Sequence, residues 1–134
     1  YDRFMKIAEW AENLNMLDGI AKLQYLVELA NKATTLPKEL RTKDRLIEGC
    51  VSQIWVDVGV VDDKVKVYYD SDAMITKGIT SIVADCFSDI SVEEAKKIKF
   101  EDFMSFNITQ LLTQQRRNGL SNLIETIRSK VAVL

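Results

Sequence analysis

Histidine is absent from the 134 residues, cysteine occurs only at Cys50 and Cys86, and the single proline is Pro37. Without histidine no Cys-His nucleophile pair can be assembled. Structural zinc or iron-sulfur sites recruit about four Cys or His ligands, so two cysteines fall short and a resident metal centre is not expected. Two thiols without a larger cysteine framework point to free cysteines rather than a disulfide scaffold. Neither sign of charge dominates, with 18 Lys and Arg against 20 Asp and Glu. A polyanion such as nucleic acid is therefore not an expected partner. No apolar run approaches the roughly 18 to 20 residues that span a bilayer, and the first segment lacks the basic-then-apolar order of a signal peptide. A cytoplasmic protein without membrane contact is expected. The chain opens on Tyr1 rather than Met, which leaves a preceding segment open.

What is present is enough apolar material, 47% of residues, for one real core. A single domain over residues 1–134 is expected. Phe4, Ile7, Ala8, Ala11 and Leu14 follow helical spacing, and Ile20, Leu23, Leu26, Val27 and Ala30 repeat it. Pro37 disfavours helical geometry at Leu36 and should end the second helix, after which a loop leads to Cys50. From Ser52 the period changes to two: Ile54, Val56, Val58 and Val60 on one face, Trp55 and Asp57 on the other. Asp62-Asp63 suits a turn, and Val65, Val67 and Tyr69 alternate with Lys64, Lys66 and Tyr68, which predicts an antiparallel hairpin lacking a turn glycine.

Asp70-Ser71-Asp72 offers helix caps, with Asp72 the favoured N-cap. Ile75, Ile79, Ile82, Val83 and Cys86 then mark the apolar face of a helix expected to cross the sheet. Ser91 with Glu94 reads as a capping box. Phe100, Phe103 and Phe106 are expected core anchors, and Leu120, Leu123, Ile124, Ile127 and Val131 form the buried face of the last helix. Helices on either side of a small antiparallel sheet in sequence give an α+β class.

Cys50 follows Gly49 in the segment Arg45-Leu46-Ile47-Glu48-Gly49, ahead of the first strand. There a loop thiol is reachable and glycine permits close backbone approach. Position alone equally suits a small hydrophobe tucked under a loop. The run Gly49-Cys50-Val51-Ser52-Gln53-Ile54-Trp55 resembles the G-C-x-S-Q-[VI]-W signature of the SufE and CsdE sulfur-acceptor family. The resemblance extends over Leu36-Pro37-Lys38-Glu39-Leu40-Arg41-Thr42, Asp70-Ser71-Asp72-Ala73, Lys77-Gly78 and Arg116-Arg117-Asn118-Gly119-Leu120, in the family's order. Val51 stands where the family commonly has Gln.

This resemblance implies a SufE/NifU fold, like that of the scaffold IscU but without its cluster ligands. It implies that Cys50 takes sulfur from the persulfide of a SufS-like or CsdA-like cysteine desulfurase and stimulates that enzyme. The sulfur is then delivered to an iron-sulfur scaffold complex. Pyridoxal phosphate belongs to the desulfurase, so no cofactor is expected on this chain, which would be a sulfur-transfer partner rather than an independent enzyme. Gly49, Ser52, Gln53, Asp72 and Arg116 become loop-supporting or partner-binding residues, and Asn118 with Gly119 is expected to shape a turn. A regulatory module that activates a desulfurase by docking alone is the competing reading. Cys86, on an apolar helix stripe, is expected to be buried and structural.

Overall fold

A computed structural model describes residues 3–33, 36–47, 52–109 and 112–134. Helices α1 (Arg3–Asn15) and α2 (Gly19–Lys32) come first, and α2 stops short of Pro37 as its geometry demands. Two 3-10 turns, Lys38–Leu40 and Lys43–Arg45, follow in place of the expected loop. Strands β1 (Ile54–Val61) and β2 (Lys64–Ser71) form an antiparallel pair. Helix α3 (Met74–Phe87), the short α4 (Val92–Lys96), a 3-10 segment Phe100–Phe106 and α5 (Gln114–Ala132) complete the chain. The class is α+β, a small antiparallel sheet packed against several helices.

The hairpin closes through Asp62 and Asp63, both with positive φ, 52° and 63°. Two left-handed residues between paired strands make the turn whose twist matches the strands, and aspartate is among the few non-glycine residues that tolerate that region. Val56 and Val65 point inward and are fully buried. They meet Ile82 and Val83 of α3 and Ile124 and Ile127 of α5 in one hydrophobic cluster. Phe103 stacks on Phe87 at 6.0 Å and meets Phe106 edge-on at 5.6 Å. Three residues per turn is the 3-10 period, so phenylalanines three apart share one face.

Helices α2 and α3 cross closely at Gly78. A Cβ there would lie 2.1 Å from the Leu26 carbonyl oxygen. Only glycine permits that approach.

Several expectations are corrected. Phe4, Ala8 and Ile20 face solvent, whereas Lys6 and Lys22 are buried. The Lys6 ammonium donates to the carbonyls of Asp85 (3.0 Å) and Ser88 (2.8 Å) at the end of α3, and Lys22 donates to the Asn107 carbonyl (3.2 Å). Each lysine thus donates to backbone carbonyls at a helix end, where acceptors outnumber intrahelical donors. Ser91 caps α4 by accepting from the Glu94 N–H (3.1 Å), but the Glu94 carboxylate turns to Arg3, so the capping box is half formed. Asn118 and Gly119 lie inside α5 rather than in a turn, because the helix already begins at Gln114 with Thr113 as its cap.

Candidate functional site

The chain leaves the described residues at Ile47 and returns at Ser52; Gly49 and Cys50 lie outside them. The flanking stems are fixed to each other. The Ile47 N–H donates to the Ile54 carbonyl at 2.8 Å, and Leu46 pairs antiparallel with Trp55. Ile47 and Ile54 are both buried, so the stems are held by apolar packing as well as by backbone bonds. The apparently polar approach to Cys50 therefore contains a core residue.

Gln53, at the entry to β1, is gripped through its backbone. Its N–H donates to Asp72 Oδ1 at 3.0 Å, and its carbonyl accepts from the Ser71 hydroxyl at 2.7 Å and the Asp72 N–H at 3.2 Å. This corrects the expected capping role of Asp72. The N-cap of α3 is Ala73, with no side-chain cap bond. The Asp72 carboxylate is spent on Gln53 instead, as an acceptor on the stem rather than on the helix. Asp70 and Ser71, the other candidate caps, belong to β2.

Beside Ser52 lies a cavity of about 30 Å³, room for one or two water-sized groups. Ile54 from β1, Ile79 from α3, and Leu120 and Leu123 from α5 make its apolar floor. Ser52, Thr76, Thr80 and Arg116 add polar atoms around it. Thr80 is buried, with its hydroxyl donating to the Thr76 carbonyl at 2.7 Å. Arg116 is exposed on the first turn of α5, where its N–H donates to the Thr113 cap (3.3 Å). The cavity thus joins Ser52 and Arg116 but not Gln53 or Asp72, which act on the stem. Thr76 and Thr80 were missed by sequence reasoning; their i, i+4 spacing beside Ile79 was the available signal.

Cys86 is fully buried in α3 with a free thiol. Burial pushes that thiol well above its ordinary value, and neighbouring Asp85 pushes the same way. Such a thiol is a poor nucleophile near neutrality. Trp10 packs with its ring N–H donating to Asp85 Oδ2 at 2.8 Å, and Trp55 lies half-buried on the sheet. Among the described residues no three His, Cys, Asp or Glu side chains are grouped to hold a metal ion, and no helix is long and apolar enough to cross a membrane.

The fold is similar to the solution structure of a protein from Thermus thermophilus described as hypothetical. The TM-score is 0.81 at 18% sequence identity, covering 96% of this chain and 94% of that one. The family model for SufE, an Fe-S metabolism associated domain, matches residues 8–131. With the match running over nearly the whole chain, this protein belongs to the SufE family and to iron-sulfur metabolism.

Proposed function

We propose that the protein is a sulfur acceptor, with Cys50 receiving a persulfide sulfur from a cysteine desulfurase and delivering it for iron-sulfur cluster assembly. The observation that carries this reading is the small cavity at Ser52, with its apolar floor and single arginine. Cys50 is two peptide links from Ser52, so their Cα atoms lie within about 7 Å of each other. A cavity of about 30 Å³ has room for one terminal sulfur. An apolar surround keeps a persulfide from bulk thiols, and the positive charge of Arg116, a residue at the cavity's edge, favours an anionic terminal sulfur.

In the transfer the Cys50 thiolate attacks the outer sulfur of the donor persulfide. A new sulfur-sulfur bond forms at Cys50 as the donor's bond breaks, and the donor leaves as a thiolate. The sulfane atom carries its oxidation state with it, so no external oxidant or reductant enters. An ordinary thiol pKa of about 8.5 leaves roughly a tenth ionised near pH 7.5. Lowering it gains thiolate but loses nucleophilicity, so alignment by the docked partner outweighs tuning of the thiol. In this reading a SufS-like or CsdA-like desulfurase supplies pyridoxal phosphate chemistry and is stimulated when Cys50 removes its sulfur. A scaffold complex is the acceptor, this chain needs no cofactor, and the reaction runs in the reducing cytoplasm.

Intact mass after incubation with a cysteine desulfurase and cysteine tests it. A reductant-reversible gain of about 32 Da per added sulfur is expected on wild type and on Cys86→Ser but not on Cys50→Ser. An unmodified wild-type chain beside an active desulfurase refutes the carrier reading. Full stimulation by Cys50→Ser assigns the stimulation to docking alone.

A further inference from the structure

Arg41, Trp55, Asp70 and Lys77 come from four separate stretches of the family resemblance and have no part in the sulfur chemistry, yet they converge on one buried point. Asp70 is 2% exposed. One carboxylate oxygen pairs with Arg41, while the other accepts from the Ser71 N–H at 2.8 Å and lies 3.3 Å from the Lys77 ammonium. The Arg41 guanidinium stands 5.8 Å from the centre of the Trp55 ring, and Trp55 is the cross-strand partner of Asp70.

Two of these neighbours lead to the edges of the Cys50 segment, and two to elements beside it. Ser71 holds the Gln53 carbonyl, and Trp55 carries the bridge to Leu46. Lys77 sits in the first turn of α3, next to Thr76 of the cavity wall, in a helix whose N-terminus has no side-chain cap. Arg41 ties down the segment that runs on from Leu36 and Pro37, where the Leu36 N–H donates to the Tyr69 carbonyl at 2.9 Å. A buried carboxylate is costly to desolvate and stabilises little in net terms. Its two oxygens, however, fix three segments in one register, which apolar contacts do not.

We propose that Asp70 is a positioning residue that fixes both stems of the Cys50 segment and the α3 wall of the cavity against one another. Stem order, and with it Cys50 reactivity, then depends on this buried charge cluster. The proposal rests on the sulfur-acceptor reading for its meaning but not for its principal test.

That test is amide exchange and thiol alkylation of the full chain carrying Asp70→Asn. Expected are exchange at Ile47 and Gln53 and iodoacetamide modification of Cys50 that are each about 10-fold faster, equivalent to about 1.4 kcal/mol of stem opening. Exchange at Leu123 and Ile127 in α5 stays unchanged, and Cys86 stays unmodified. Stem exchange equal to wild type, or protection lost by the same factor throughout the chain, overturns the proposal. If Asp70→Asn does not fold, Lys77→Met keeps the Arg41 pair and is read by the same two outcomes. With a cysteine desulfurase as donor, Asp70→Asn is further expected to lower the saturating rate of sulfur loading while leaving half-saturation unchanged. Absence of loading on wild type refutes the carrier reading and leaves the exchange result standing.

Discussion

Replacing Gly78 by alanine tests the close crossing of α2 and α3. The added methyl would sit 2.1 Å from the Leu26 carbonyl oxygen, 2.7 Å from its carbon and 2.9 Å from its Cα. All three atoms are backbone of α2, so no side chain can rotate out of the way. Reaching an ordinary contact requires α2 and α3 to separate by roughly 1.3 Å, from 2.1 to 3.4 Å. Overpacking of this kind costs about 1–3 kcal/mol, with the upper end appropriate where backbone must move. Alanine recovers about 0.5–1 kcal/mol of helix propensity, leaving a net loss of about 2 kcal/mol. For 134 residues the unfolding entropy is about 0.28 kcal/mol/K, so Tm should fall by about 7 °C. Thermal unfolding followed by circular dichroism measures this directly. A variant melting at or above the wild-type temperature would refute the close crossing, since propensity alone predicts stabilisation.

Two further perturbations separate roles that the sequence left merged. Asp72→Ala removes an acceptor from the Gln53 N–H and should cost about 1 kcal/mol with faster exchange at Gln53. Because Ala73 is the cap, the start of α3 should keep its protection; frayed α3 amides would restore the capping role. Cys86 has a folded pKa raised by burial, so its contribution is complete below the unfolded thiol value of about 8.5 and is lost as pH rises toward the folded value. Above that lower limit urea-unfolding stability should fall by up to about 1.4 kcal/mol per pH unit from this group alone. Cys86→Ala should flatten that alkaline limb, and an unchanged slope would remove the assignment.

Local signals predicted the elements well where the partner is local. The alternation over Ile54–Val61 and Lys64–Ser71 is the pleat itself, and two aspartates sufficed for the turn because a short polar side chain tolerates positive φ. The phenylalanine spacing pointed to a common face, which the 3-10 period accounts for. Failures occurred where a side chain serves something distant. Lys6 looks like a solvent residue until the end of α3 arrives with two carbonyls that accept from it, and Lys22 behaves likewise at Asn107. Asp72 has the spacing of a cap, and only the return of β1 beside it offers the Gln53 N–H. Such pairings depend on tertiary approach and leave no periodic trace in sequence.

The candidate site divides along the same line. Cys50 is singled out only by the run around it, whereas the cavity arises where β1, α3 and α5 meet, and its threonines read only as polar positions on a helix. That division bears on why the resemblance covers most of the chain when the proposed chemistry requires one sulfur. Thiol exchange gains little from tuning a pKa and much from alignment. Residues around a sulfur carrier are therefore best used in fixing where its thiol is presented. Arg41, Asp70, Ser71, Asp72 and Lys77 hold the stems, and Gly78 lets α3 approach α2 closely enough to set the cavity wall. On this account, substitutions at these positions change the rate of transfer without touching sulfur, and their effects should not be additive, because they act through one shared stem.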